Sequence, residues 1–348
     1  RPPPTPTPML NRRQRQMCIR DSDYRSDAPT PSQGSLLLIT FLCMSTIGID
    51  IGGSKALSVR LEDGVVVEQR HTAAPGEPPL DTALAAIRGV WADDVEAIGV
   101  GVAGLVRWPE GVFAWGPHVD STDLPIRELL EAELGLPVIV DNDANVAAYG
   151  ERVAGAAQGY DDFLLVTLGT GIGGAMVIDG EVYRGESFAG EWGHIRHNPG
   201  GRLCDCGKRG CWETVASGPA LVRLAREVIS LNPEGSFAHR FESGTIRGED
   251  VTAAADAGDE VARGLVAEVG AELGRGIANL IAIFDPELVV VGGGLGSVGE
   301  SLLGPARRFA ADALHGGNHR LAPPILVAGS GARAGAVGAA YLAESIRS

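Results

Sequence analysis

This chain is short of the features that would suit it to a nucleic acid or a membrane. Lys and Arg number 29 against 44 Asp and Glu, and the net charge is −15. No basic stripe that could neutralise phosphates along a duplex is visible, which excludes DNA or RNA as a partner. The apolar run Ser35–Met44 covers about ten residues, half of the roughly 20 that a helix needs to cross a bilayer. Aromatic residues are few (5%), whereas Gly is abundant at 49. Cysteine is also scarce, at five. Cys18 and Cys43 lie in or beside the leading segment, and Cys204, Cys206 and Cys211 cluster together. Three clustered thiols cannot all pair with one another, so a disulfide framework gives way to a reducing, cytoplasmic setting with a metal site.

Length suggests two domains, each able to bury a core. Residues 1–34 are rich in Pro, Arg, Ser and Asp without helical or strand periodicity, the composition of a disordered segment. Residues 1–45 carry six Arg against three Asp, so the acidity belongs to the remainder. Arginines before an apolar run also fit a signal peptide, but no small-residue cleavage site separates that run from the strand at 46–51. Residues 1–43 are therefore set aside as a disordered or non-native leader, with Met44 as a natural start.

The first ordered unit, Thr46 to Arg60, reads as strand, glycine turn (Gly52, Gly53, Ser54) and strand. Glu62-Asp63-Gly64 then turns into a third strand at 65–69. The same grammar returns at 163–184, with the glycine turn Gly169-Thr170-Gly171-Ile172-Gly173-Gly174 and a second Asp-Gly turn at 179–180. Two copies of one unit imply two similar α/β domains facing each other. Glycines at such turns let backbone N–H groups approach phosphate oxygens. Asp50 on the first strand is placed to hold Mg²⁺ beside that turn. A long apolar-periodic helix at 261–284 has Leu265, Val269, Leu273, Ile277 and Ile281 on one face, which reads as core. A strand at 288–291 follows and ends in Gly292-Gly293-Gly294, where an α/β sheet receives ligand; a nucleotide base or ribose fits there. The spacing is not that of a dinucleotide fingerprint.

Between the repeats, an apolar strand ending at Val140 meets Asp141-Asn142-Asp143-Ala144-Asn145 and then a helix. An N-cap explains one of these polar residues but not the run. Beside two phosphate turns, an Asp here suits a general base, its pKa kept low by the helix N-terminus. Finally, Glu191-Trp-Gly-His194 and Cys204-Asp-Cys206-Gly-Lys-Arg-Gly-Cys211-Trp-Glu213 place one His and three Cys within about twenty residues. Three thiolates and an imidazole close the shell of a structural Zn²⁺, leaving two glutamates braced beside it.

With these motifs in place, residues 46–346 resemble the ROK family of sugar kinases and sugar-responsive repressors, within the actin-like, hexokinase-type superfamily. The resemblance rests on Asp-x-Gly-Gly-Ser/Thr-Lys at 50–55, Asp-Asn-Asp-Ala-Asn at 141–145, Leu-Gly-Thr-Gly-Ile-Gly-Gly at 168–174, Glu-x-Gly-His at 191–194 and the cysteine loop at 204–213. It implies two actin-like (RNase H-like) α/β domains around a cleft, with a zinc loop in the larger one. The smaller would comprise residues 44–141 plus 335–348 and the larger 142–334. Its implied activity is an ATP-dependent, glucokinase-like phosphorylation of a hexose 6-hydroxyl. Asp143 would be the base. Gly104, Asn142, Asp143, Glu191, His194 and Glu213 would hold the sugar. Asp50, Gly52, Gly53, Ser54, Lys55, Gly169, Thr170, Gly171 and Gly173 would hold MgATP phosphates, with Gly293 and Gly294 at the adenosine. His194, Cys204, Cys206 and Cys211 would ligate zinc, with His197 as the competing fourth ligand, and the assembly would be a homodimer or homotetramer.

His118 stands where glucokinases of this family often show Asn, which leaves other hexoses and N-acetylhexosamines open as substrates. Trp108 and Trp115 are candidates for stacking on a sugar, or for core or interface packing. A repressor would carry an additional DNA-binding segment before residue 46 and would not need Asp143 with intact phosphate turns. A zinc-stabilised interaction domain would leave the paired hairpins unexplained.

Overall fold

The computed structural model describes residues 45–53, 55–73, 77–116, 121–241 and 245–347. The expectations placed on the leader, on Met44, on Ser54 and on His118 lie outside the described residues. Strands β1 (Ser45–Ile51), β2 (Lys55–Glu62) and β3 (Val65–Ala73) form two successive hairpins. The second turns at Asp63-Gly64, with φ of 49° and 77°, as a tight hairpin of right-handed strands requires. Helix α1 (Pro79–Gly89), β4 (Val95–Val102), a small hairpin of β5 (Leu105–Arg107) and β6 (Val112–Trp115), α2 (Ile126–Leu134) and β7 (Val138–Asn142) follow. The first sheet has the order β3-β2-β1-β4-β7, with β4 and β7 parallel to β1.

Helix α3 (Asp143–Ala154) leads to β8 (Phe163–Leu168), β9 (Ile172–Ile178) and β10 (Glu181–Val182). Next come α4 (Gly218–Leu231), α5 (Ser236–His239), α6 (Gly248–Asp256) and the long α7 (Glu260–Phe284). The chain ends with β11 (Leu288–Gly292), the single turn α8 (Gly293–Gly296), α9 (Glu300–Ala313), β12 (Ile325–Val327) and α10 (Ala334–Glu344). The second sheet runs β10-β9-β8-β11-β12, with β11 and β12 parallel to β8 and the hairpins antiparallel. Its order matches that of the first sheet position for position, so the duplication expected from the repeated hairpins is present in the topology. Even the tight turn recurs, at Asp179-Gly180 with φ of 52° and 77°.

Each sheet has its own core. Ile47, Ile49, Ile98, Val100 and Val140 pack against Ile87 of α1 and Ile126 and Leu130 of α2. In the second, Val269, Leu273, Ile277 and Ile281 of α7 are fully buried with Val289 and Val291, each such side chain stabilising by roughly 1.5–3 kcal/mol. The Gly- and Ala-rich α10 lies on the other face of the first sheet, against β1, β4 and α3. A Cβ on Gly48 of β1 would overlap the Ala336 carbonyl oxygen, and one on Gly99 of β4 would overlap that of Ala339. Backbone therefore lies directly on backbone.

This contact predicts a contrast between two glycines. Gly99→Ala should lower stability by about 1–3 kcal/mol or more, because the methyl must displace helix backbone. Gly264→Ala, on an exposed face of α7 with open space around its Cβ, should stabilise by roughly 0.5–1 kcal/mol. Thermal melts of the two variants against the parent chain check both signs.

Candidate active site

The strand ends of both sheets and the loops around the cysteine cluster converge on a cavity of about 350 Å³. The β1–β2 corner contributes Gly52 and Gly53, and the loop after β4 contributes Gly104. Asn142 and Asp143 enter from the junction of β7 and α3, and Gly169, Thr170, Gly171 and Gly173 from the β8–β9 corner. Glu191, His194, Cys206 and Glu213 complete the wall. Of the residues singled out in the sequence, Asp50, Lys55, Cys204, Cys211, Gly293 and Gly294 do not line this cavity. Asp50 lies on β1 against Gly335, at the start of α10. Gly293 packs on the backbone of Leu168, beside the second glycine turn.

The polar run 141–145 divides its work. Strand β7 extends to Asn142 and the helix starts at Asp143, each slightly beyond the bounds expected from apolar pattern. Asn142 is the N-cap: its Oδ1 accepts from the N–H groups of Ala144 (2.9 Å) and Asn145 (3.3 Å), while Nδ2 donates to the Gly104 carbonyl at 3.0 Å. Asp141 is buried and accepts from Arg184 Nε at 2.8 Å and Asn145 Nδ2 at 2.9 Å. Asp143 is then the carboxylate that faces the cavity. The expectation that the helix N-terminus keeps its pKa low is corrected here. Burial pushes Asp143 above the ordinary carboxylate value of 3.8, outweighing the backbone N–H and Asn142 contacts that pull it down, and the Asp141 charge adds to the rise. Asp50 is pushed up to about 7 by burial and then by the Asp143 charge, against the pull of Lys55. Glu191 is raised as well, by burial first and then by Asp143 and Glu213, with His194 opposing. Several carboxylates are buried close to one another, the condition that perturbs functional groups.

The two glycine turns are also clarified. The N–H groups of Gly52 and Gly169 close their own hairpins, donating to the carbonyls of Lys55 and Gly171 at 3.0 Å each. Gly171 is glycine for another reason: a Cβ there would strike Glu213 Oε2. That same oxygen accepts from the Ile172 N–H at 3.4 Å, so Glu213 ties the cysteine loop to the phosphate-type turn.

His194, Cys204, Cys206 and Cys211 place one ligand atom each within 4.8 Å of one another. Cys204 Sγ lies 3.7 Å from His194 Nδ1, and Cys206 Sγ lies 3.6 Å from Cys211 Sγ. Ligands about 2.3 Å from a tetrahedral Zn²⁺ sit ~3.7 Å apart, so the donor set and its spacing fit that ion. His194 Nε2 faces Glu191 at 4.0 Å. His197 is not in the group. Its Nε2 meets Glu272 Oε2 at 2.8 Å and its ring stacks on Trp212, which is itself buried and donates to the Glu272 carbonyl at 3.0 Å. Trp115 lines the cavity, 44% exposed, whereas Trp108 lies under the Arg184 guanidinium. Asp205, Glu77 and Thr82 also line the cavity; Asp205 lies inside the cysteine motif, whose metal reading gave it no role of its own, and Glu77 and Thr82 belong to no motif.

Two sheets of one topology around a polar cleft, with a Cys₃His group at its rim, define an actin-like, hexokinase-type fold. The chain belongs to the ROK family, whose model matches residues 46–346. It is 39% identical over 308 residues to a glucokinase of Streptomyces coelicolor, covering 86% of this chain and 97% of that protein. A glucokinase of Halalkalibacterium halodurans is 42% identical over 225 residues, 64% of this chain and 68% of the relative. Among solved structures, a ROK family glucokinase from Streptomyces griseus in complex with glucose and AMPPNP is similar with a TM-score of 0.79 and 39% identity. The match covers 86% of this chain and 99% of that one.

Elemental analysis of the purified chain should find about one Zn²⁺ per polypeptide. Cys206→Ser should lose it together with a large part of the thermal stability, whereas His197→Ala should keep the metal. Metal loss in the His197 variant would mean that the ligand set is wrong.

Proposed function

We propose that this chain is an ATP-dependent kinase that transfers a phosphoryl group to the 6-hydroxyl of glucose. The observation that carries the reading is one cavity in which Asp143 meets Glu191, His194 and Glu213 on one side and two glycine turns on the other. Similarity to glucokinases over most of the chain supports it. The two lobes would divide as 44–141 plus 335–348 and 142–334, closing on the sugar and excluding water, which limits hydrolysis of ATP.

In this scheme Glu191, Glu213 and the Nε2–H of His194 bind hydroxyls at the far end of the sugar. Its 6-hydroxyl lies against Asp143, which takes the proton as that oxygen attacks the γ-phosphorus in line. Asn142 reaches the sugar mainly through position, since its amide already caps α3 and holds Gly104. Gly52, Gly53, Ser54, Gly169, Thr170, Gly171 and Gly173 cradle phosphates, with Gly293 and Gly294 towards the adenosine. Asp50 and its neighbour Lys55 fit Mg²⁺ and a phosphate, and the Mg²⁺ supplies charge neutralisation at the transferring group. Zinc supplies rigidity to the loop that bears Glu213. A thiol-ligated metal accords with a reducing cytoplasm, and a homodimer or homotetramer, readable by light scattering, belongs to the same proposal. Among the described residues no helix is long and apolar enough to cross a membrane.

Coupled ADP release with MgATP across hexoses and N-acetylhexosamines should show the strongest stimulation by glucose. Preference for another sugar would move the assignment within the family, and no stimulation by any sugar would refute it. Asp143→Asn should cut kcat by about 10²–10⁴-fold while calorimetric sugar affinity changes little. Because a base works only when ionised, kcat/KM should rise with pH through the raised pKa of Asp143. The midpoint of that acidic limb should lie above 3.8, and the limb should disappear in the Asn variant's residual rate.

A further inference from the structure

Arg184 has no part in the scheme above, yet its guanidinium joins three segments that carry the site. Nε donates to Asp141 Oδ2 at 2.8 Å and Nη1 donates to the Val182 carbonyl at 3.0 Å. The flat group lies 3.8 Å from the centroid of the Trp108 ring. Asp141 is 1% exposed and Arg184 13% exposed. The other oxygen of Asp141 accepts from the Asn142 N–H at 2.8 Å and the Asn145 amide at 2.9 Å, gripping the chain on both sides of Asp143. Arg184 itself opens the loop that leads to Glu191. In that loop Ser187 Oγ accepts from the Trp108 N–H at 3.1 Å, and Trp108 directly follows β5, the strand that leaves Gly104.

Asp141 and Trp108 belong to the first sheet and its hairpin, Arg184 and Ser187 to the second. A buried ion pair adds little net stability, because desolvating both charges offsets most of their attraction. Its geometric content is larger. A planar fork held by a carboxylate, a carbonyl and a ring face has few alternative placements, and an ammonium could not reproduce them. We propose that Arg184 is a positioning residue that keeps Asp143, which directly follows the last strand of the first sheet, in register with the Glu191 loop, which follows the β10 edge of the second. It acts through Asp141 and Trp108 and touches no reacting atom. Its kinetic consequences rest on the kinase reading.

The test separates registry from mere satisfaction of a buried charge. Arg184→Met leaves Asp141 buried without its partner, so both melting temperature and kcat should fall, kcat by about 10²-fold, as expected for a small misplacement of reacting groups. Adding Asp141→Asn removes the orphaned charge and should restore most of the melting temperature. In the double variant kcat should stay at least about tenfold low, with KM for MgATP within about twofold of wild type. Recovery of kcat together with melting temperature would overturn the proposal, as would near-normal kcat in the single variant. Wild-type chain measured alongside keeps the two readings apart: failure of the wild type itself to release ADP with any sugar overturns the kinase reading, and with it this one.

Discussion

The meeting of the first sheet's carboxylates depends on how closely two helices can cross. Helices α3 and α10 meet with Gly338 against the Val146 carbonyl, and α10 lies on Gly48 and Gly99 of the sheet beneath. Side chains larger than hydrogen at these points would hold the backbones apart, since interiors are packed too densely to absorb a methyl without movement. The consequence is chemical as well as mechanical. The close crossing brings the first residue of α3, Asp143, near Asp50, whose carboxylate rests against the start of α10. A proposed general base and a proposed metal-binding carboxylate thus become neighbours because two glycine-rich surfaces can touch.

That proximity explains the electrostatics. The Asp143 charge raises the cost of ionising Asp50 on top of its burial, and it does the same to Glu191, a third carboxylate close to Asp143. A site of this kind is under strain as long as it contains only its own charges. A divalent cation and the protons of sugar hydroxyls are the species that relieve it. The acidity is therefore coherent with a ligand pair that brings positive charge and hydrogen-bond donors, and it disfavours an anion bound without a metal.

Much of this was readable from residues alone where the signal was local. The Asp-Gly turns, the glycine corners and the polar run after Val140 each announce a backbone need that few residue types satisfy, and they fell where expected. The repeated hairpin pointed to a duplicated architecture, and the two sheets share one strand order. What could not be read were relations across sequence distance. Nothing near Gly171 shows that Glu213 requires the space of its missing side chain, and nothing near Asp141 points to Arg184. The low pKa expected for Asp143 failed for the same reason. Helix N-terminus effects are local and visible in sequence, whereas burial is set by how distant parts of the chain fold together.

Glu213 shows how such long-range relations give the metal loop a purpose beyond stability. One of its oxygens lies 3.3 Å from His194 Nδ1 and accepts from the Cys204 thiol at 2.8 Å; the other meets the Ile172 N–H. A cation among the thiolates would replace the thiol proton and take the lone pair of His194 Nδ1, leaving Glu213 held by the Ile172 N–H of the glycine turn. The carboxylate would then stand between a rigid metal shell and the corner proposed to cradle phosphates. Orientation of a ligand's neighbours by outer contacts is what makes metal sites effective. Here it would fix the separation between the sugar's far end and the ATP phosphates, a distance the reaction needs held to a fraction of an ångström. Stiffness at that point serves transfer better than further binding contacts would, because positioning is what the protein supplies to phosphoryl transfer.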